Sequence, residues 1–99
     1  MNSAEMRIGK DTDPKGAAGY LAEHFIEDPF TPVRLMAIGQ EAVFKAINTL
    51  IFARGVAYTN GFELNFVVER FQTPSGEDGE LWTGVKFTVY PAIPRGAMV

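Results

Sequence analysis

The sequence predicts an α+β fold, a two-layer sandwich in which two helices cover one face of a four-stranded mixed sheet. Three observations lead to this prediction. Two segments have the helical spacing of apolar residues, and a short strand-like segment precedes each of them. Two longer segments with alternating apolar residues complete the chain. The resulting order is β-α-β-α-β-β. Its initial β-α-β unit implies parallel pairing and a right-handed crossover.

The first strand and the first helix are separated by a turn. Residues 5–10 (EMRIGK) alternate between apolar and polar side chains, as a short strand does. In the DTDP segment, Asp13 suits the N-cap position and Pro14 suits the first helical position. The helix is expected from about Pro14 to Asp28. Its apolar stripe consists of Ala18, Leu21 and Phe25.

A second strand and helix follow the break at DPFTP, residues 28–32. Residues 33–39 (VRLMAIG) predict a buried strand that is closed by Gly39. The second helix is expected from about Gln40 to Arg54, with Gly55 as its left-handed C-terminal stop. The YTNG segment, residues 58–61, predicts a turn.

Two longer strands, residues 62–71 and 81–90, are predicted to form a hairpin around the TPSGEDGE loop. Alternation assigns one face of the hairpin to Phe62, Leu64, Phe66, Val68, Leu81, Val85, Phe87 and Val89. It assigns the opposite face to Glu63, Asn65, Val67, Glu69, Trp82, Lys86, Thr88 and Tyr90. One domain spanning residues 1–99 is expected, with a core of about 5–91 and a loose tail at 92–99.

The composition restricts the class of function. The chain has 99 residues, of which 46% are hydrophobic, so it can build one core. Cysteine is absent and the first ten residues lack the apolar segment of a signal peptide, so we expect a cytoplasmic protein without disulfides. No apolar run is long enough for a membrane helix. The net charge of −3 means that nucleic-acid binding would require a local basic patch.

No residue pattern points to catalysis. Asp11 and Asp13 have the spacing of the first ligands of a calcium loop, but Ala22 stands where that loop needs glutamate, which favours helix capping. His24 lacks a positioned acid–base partner and is expected to be structural. We therefore expect no enzyme activity, metal, cofactor or small-molecule substrate.

The second helix has more apolar side chains than one face requires. Val43, Ala46, Ile47 and Leu50 form a stripe that is suited to the sheet. Phe44, Ile51 and Phe52 lie largely on another flank, where either the first helix covers them or a second subunit does. The candidates for an oligomer interface are Phe44, Asn48, Ile51 and Phe52.

The open face of the sheet is a second candidate surface, with Val67, Phe71, Trp82 and Tyr90. Aromatic side chains on an open sheet can stack on RNA bases. Glu63 and Glu69 are predicted on the same face and disfavour phosphate, so cross-strand packing is the preferred interpretation.

Three segments resemble the stage V sporulation protein S (SpoVS) family: KDTDPKGAAGYLAEHF, MAIGQEAVFKAINTLIFARGVAYTNGFEL and GVKFTVYP. The resemblance covers about residues 6–91, and it extends to the wider Alba-like group, which shares the β-α-β-α-β-β order. Its best signature consists of Ala37-Ile38-Gly39, Ala42, Ala46 and Ala53-Arg54-Gly55. The resemblance implies a small bacterial cytoplasmic regulatory protein without enzyme activity, linked to sporulation and cell-division control, which binds DNA or RNA.

The resemblance also implies which residues contact nucleic acid. Alba-like proteins use a lysine after the first strand, matched here by Lys10, and the loop entering the second helix, matched by Gly39 and Gln40. They also use a basic hairpin arm, whereas this arm carries Glu77, Asp78 and Glu80. The full set of candidates for weak nucleic-acid binding is Lys10, Lys15, Gly39, Gln40, Lys45 and Arg54. The alternative function is a homo-oligomeric protein-interaction module without nucleic-acid binding.

Overall fold

The computed structural model describes residues 4–74 and 79–92 and confirms the predicted order of elements. Its elements are β1 (Ala4–Ile8), α1 (Pro14–Glu27), β2 (Val33–Ile38), α2 (Gln40–Thr59), β3 (Glu63–Pro74) and β4 (Leu81–Ala92). Four strands form one mixed sheet and two helices pack together over it, so the α+β prediction is confirmed.

The strands lie in the order β1-β2-β4-β3, so β4 is inside the sheet although it follows the other strands in the chain. β1 pairs parallel with β2, with Ala4 opposite Val33. β4 runs antiparallel to both neighbours, with Val89 opposite Val33 on β2 and opposite Phe66 on β3. β1 and β3 are therefore the two edges of the sheet.

The core lies between the helices and the sheet. α1 contributes the predicted stripe together with Ala22, and α2 contributes a row of small residues that lets the helices approach closely. The buried apolar residues are Ile8, Ala18, Leu21, Ala22, Phe25, Val33, Leu35, Ala37, Ala42, Ala46, Leu50, Ala53, Ala57, Leu64, Phe87 and Val89. The opposite face of the sheet is uncovered in the described residues.

The start of α1 is capped as predicted. The carboxylate of Asp13 accepts hydrogen bonds from the backbone N–H groups of Lys15 and Gly16, each at 3.3 Å. Pro14 occupies the first turn, where its missing N–H leaves no bond unmade. The helix ends at Glu27, one residue earlier than predicted, with Asp28 as its C-cap.

The prediction that α2 ends at Arg54 and stops at Gly55 is wrong. The helix passes through Gly55 and continues to Thr59. Gly61 has a φ of +88°, and its N–H donates to the carbonyl of Tyr58 at 3.1 Å. The N–H of Phe62 donates to the carbonyl of Ala57 at 3.1 Å, which completes a Schellman motif. The physical reason is that Ala57 is fully buried, so packing carries the helix past one unfavourable glycine.

The β3–β4 hairpin is longer than predicted. β3 extends to Pro74 and β4 to Ala92, whereas the prediction ended them at residues 71 and 90. Prolines are tolerated for two reasons. β3 is an edge strand, and β2 begins at Val33, opposite Val89, so Pro91 has no register partner on β2. Residues 75–78 and 93–99 lie outside the described residues, and so do the acidic Glu77 and Asp78 of the predicted arm and most of the predicted tail.

Candidate functional site

An apolar groove lies between α2 and the outer strand β3, with a volume of about 570 Å³. We call it the α2–β3 groove. The residues that line it are apolar with the exception of Arg54. They are Val43, Ile47, Leu50, Ile51, Arg54, Leu64, Phe66, Val68, Val85 and Phe87.

The groove exists because the helices do not reach the outer edge of the sheet. Phe66 and Val68 point toward the helix side of β3, yet they remain 47% and 53% exposed. α2 packs mainly against α1 and only lightly against β3. The sheet therefore continues past α2. The Phe66 ring packs edge-on against Phe87, with 6.0 Å between the ring centroids, but about half of Phe66 and of Val68 stays uncovered by the described residues. An exposed apolar surface of this density is typical of a protein interface.

The first helix does not cover the extra apolar flank of α2. Phe44 and Ile51 are 63% and 60% exposed, and Ile47 beside them is exposed as well. Since residues seven apart share a helix face, Phe44 and Ile51 lie on the same flank, next to the groove. Two of the predicted interface residues thus border one continuous apolar surface with Phe66 and Val68.

The other two predicted interface residues lie elsewhere. Phe52 is about a quarter-turn around the helix from Ile51, because each residue advances the helix by about 100°. The Nζ atom of Lys15 lies 5.6 Å from the centroid of the Phe52 ring, so Phe52 faces α1. Asn48 is partly buried between these flanks. The idea that Phe44, Ile51 and Phe52 share one flank is therefore wrong for Phe52.

An ion pair closes one end of the groove. The guanidinium of Arg54 donates to both carboxylate oxygens of Glu63, through Nε at 2.9 Å and Nη2 at 3.0 Å. The hydrogen bond from Arg54, followed by one from the backbone N–H of Leu64, lowers the pKa of the Glu63 carboxyl. The same carboxylate raises the pKa of Arg54. Glu63 therefore turns toward α2 and not toward the open sheet face, where alternation had assigned it.

Three of the residues predicted to contact nucleic acid come together at the start of α2. Lys10, Gly39 and Gln40 line a shallow depression of about 400 Å³, next to Ile38 and Glu41. Gly39 is the N-cap with a φ of +93°, and no side chain of the described residues caps the first N–H groups of the helix. Helix N-termini of this kind attract anions, although the carboxylate of Glu41 in the first turn opposes that attraction.

The remaining basic candidates do not join this depression. Lys15 reaches over Phe52, and Lys45 is partly buried one turn into α2. Arg54 lies about 20 Å along the helix from Gln40, given the 1.5 Å rise per residue. Its guanidinium is already paired with the carboxylate of Glu63. Arg54 therefore does not share one surface with Lys10.

The open face of the sheet combines ion pairs with aromatic side chains. Arg34 contacts Glu5 across β2 and β1 at 3.5 Å, and Lys86 lies 3.9 Å from Glu69 across β4 and β3. Trp82 and Tyr90 are about half exposed, at opposite ends of β4. Each of these cations thus lies beside a carboxylate on an edge strand, which disfavours a continuous track for a nucleic-acid backbone.

The described residues contain no group of three or more potential metal-ligating side chains. The ring of His24 lies 2.9 Å from the carbonyl oxygen of Thr31 and packs edge-on against Phe25, which gives it a structural role at the end of α1. Within residues 4–74 and 79–92, neither helix has both the length and the apolarity needed to cross a membrane.

The family model described as stage V sporulation protein S (SpoVS) matches residues 4–92, which include every described helix and strand. No curated protein matches the sequence.

Proposed function

Because the chain belongs to the stage V sporulation protein S family, we propose that it is a small sporulation-related regulatory protein that works as a homo-oligomer. In this proposal the α2–β3 groove is the contact between subunits. The observation that carries it is the exposure of Phe44, Ile51, Phe66 and Val68 around one apolar groove. A stable monomer gains nothing from keeping such side chains in water, whereas a subunit contact removes them from it.

A second copy is the partner that the composition of the groove fits best. Among the described residues, Arg54 is the only charged one that lines it, and that charge is already matched by Glu63. A nucleic acid or a charged peptide would find no free charge on this lining. Another copy of the chain presents the same apolar surface, so two copies can bind each other without any charged recognition group.

The test is the mass of the protein in solution, measured by light scattering after gel filtration. We expect the wild type to be a dimer or a larger oligomer and Ile51→Glu to be monomeric. Ile26→Glu is the matched control, because Ile26 is similarly exposed but lies on α1. A wild type that is monomeric across the accessible concentration range, or two variants with equal effects, would contradict the proposal.

A second candidate function is weak nucleic-acid binding at the start of α2. It is supported by the meeting of Lys10, Gly39 and Gln40 at a helix N-terminus without a side-chain cap among the described residues, and by a fold consistent with the Alba-like group. With about two to four phosphates neutralised, the logarithm of the affinity should fall with a salt slope of about −2 to −4. An affinity of ~10⁻⁵ M at physiological salt is expected for contacts of this number.

Fluorescence titration of short single- and double-stranded DNA and RNA at two salt concentrations tests this candidate. Lys10→Glu should remove most of the binding. Arg70→Glu makes the same change of charge on β3 and should leave most of it. Absence of binding to wild type at low salt would exclude this function while leaving the oligomer proposal unaffected.

A further inference from the structure

The outer edge of β3 has no strand partner among the described residues. β3 has twelve residues and pairs only with β4 there, so its other row of backbone N–H and C=O groups faces outward. Phe66, Val67 and Val68 at its centre are each about half exposed, and they alternate between the two faces of the sheet. A long edge with exposed apolar side chains on both faces is a template for another strand.

We infer that two copies of the chain join through their β3 edges, in antiparallel pairing around a two-fold axis at Val67, so that their two four-stranded sheets become one continuous sheet. This inference rests on the proposed self-association and specifies its geometry. A two-fold axis requires antiparallel pairing of β3 with itself, because the same surface of each copy must meet the other.

The charges of β3 select the position of the axis. Like charges directly opposite each other are unfavourable in a sheet. An axis at residue 66 would place Glu63 opposite the partner's Glu69, and an axis at residue 69 would place Glu69 opposite the partner's Glu69. An axis at residue 70 would do the same for Arg70. These three registers are disfavoured.

Among axes at residues 66–70, the central part of the strand, two registers remain, and apolar matching separates them. An axis at Val68 would place Val67 opposite the partner's Glu69. An axis at Val67 places Val67 opposite the partner's Val67 and Phe66 opposite the partner's Val68. Since directly opposed apolar pairs stabilise a sheet, the axis at Val67 is favoured.

This register also fills the groove. Phe66 and Val68 point to the helix side of the sheet, where each lines the α2–β3 groove. The partner's Phe66 would stand beside Val68 at the open mouth of that groove, within reach of Ile51 on α2. Such a contact would remove from water the exposed side chains of α2 and β3 together with the paired strand edge.

Disulfide trapping tests the inference cleanly, because the chain contains no cysteine. In the inferred register, the cysteine introduced by Val67→Cys meets the same position of the other copy, with the Cα atoms about 4.5–5.5 Å apart, within the range for a disulfide. In Val68→Cys the two positions are diagonal, about 7–8 Å apart, which is too far. Under mild oxidation Val67→Cys should therefore cross-link several-fold more than Val68→Cys. A mixture of Phe66→Cys and Val68→Cys copies should cross-link as a heterodimer.

Each outcome has a distinct meaning, with the mass of every variant measured under reducing conditions first. Preferential cross-linking of Val67→Cys supports the inferred pairing. Preferential cross-linking of Val68→Cys overturns the assigned register. An oligomeric wild type with oligomeric variants that do not cross-link overturns the edge pairing but leaves the proposed function standing. A monomeric wild type overturns both.

Discussion

The ring of Phe71 on β3 lies against the backbone of Gly84, its register partner on β4. A Cβ atom added to Gly84 would lie 2.7 Å from two carbons of that ring and 2.6 Å from the carbonyl oxygen of Ala37. Only a glycine leaves room there, because β2 and the ring approach the same backbone from two sides. The aromatic ring thus replaces the missing side chain on the open face of the sheet.

We predict that Gly84→Ala lowers the free energy of unfolding by about 1–3 kcal/mol, the usual cost of overpacking. The backbone oxygen of Ala37 cannot move aside as a flexible side chain could. Gly19→Ala on α1 is the control, because nothing lies within 4 Å of an added Cβ there. Urea unfolding measures both variants, and equal midpoints for the two would show that the contact is misplaced.

The two glycines near the end of α2 should respond in opposite directions. Gly55 is inside the helix with open space around an added Cβ, so Gly55→Ala should stabilise the protein by roughly 0.5–1 kcal/mol. Gly61 has a positive φ, so Gly61→Ala should destabilise it by about 1 kcal/mol. Thermal unfolding of both variants decides the point. A loss of stability in Gly55→Ala would place the helix end at Gly55 after all.

Removal of the α1 cap should have a measurable cost. Asp13→Ala leaves the N–H groups of Lys15 and Gly16 without their acceptor and should destabilise the protein by about 1 kcal/mol. Asp13→Asn retains a capping oxygen and should stay within a few tenths of a kcal/mol of wild type. If Asp13→Asn were as unstable as Asp13→Ala, the charge of Asp13 and not its capping bond would be responsible.

Stability should fall in acid through Glu63. Its carboxyl has a lowered pKa in the folded state, mainly because of the hydrogen bond from Arg54. A lowered pKa contributes stability above the pKa of the unfolded state, and that contribution disappears as the pH falls through the folded value. Glu63→Gln should therefore be less stable than wild type near neutral pH, and the difference should shrink in acid below the ordinary pKa of glutamate.

Urea midpoints of wild type and Glu63→Gln across a pH series measure this difference. Asp28, whose carboxyl also has a lowered pKa through bonds from Thr31 and Phe30, is unchanged in both proteins and cancels in the comparison. A difference that is constant with pH would mean that Glu63 acts through packing and not through its charge.

Local patterns were sufficient for most of the fold. The alternation of β3 and β4 and the Asp13-Pro14 start of α1 predicted elements and faces that the structure contains. The end of α2 was missed because Gly55 is a local signal, whereas the burial of Ala57 is a tertiary one. The ends of β3 and β4 were predicted too early for a related reason. A proline in a strand is unfavourable only where a neighbouring strand needs its missing N–H group, and the sequence does not show which strand lies alongside.

The candidate site was predictable only in part. Lys10 and Gly39 meet because β1 and β2 are parallel. The loops that follow these two strands therefore begin side by side, at the C-terminal ends of the strands. The α2–β3 groove depends on the order of the strands in the sheet. The spacing of apolar residues predicts strands and their faces, but it does not predict that order. The uninterrupted run of Phe66, Val67 and Val68 was the available signal, because an edge strand with one wet face would not be apolar at all three positions.

The strand order has a consequence for the way the chain folds. β4 leaves the ribosome after the other three strands, yet it participates in two of the three strand pairings, with β2 and with β3. β3 adds to the sheet only through β4, so a nascent chain that ends before Leu81 can complete only the β1–β2 pair of the sheet. We therefore expect the sheet to form in one all-or-none step after β4 has been synthesised, with the insertion of β4 as the event that closes it.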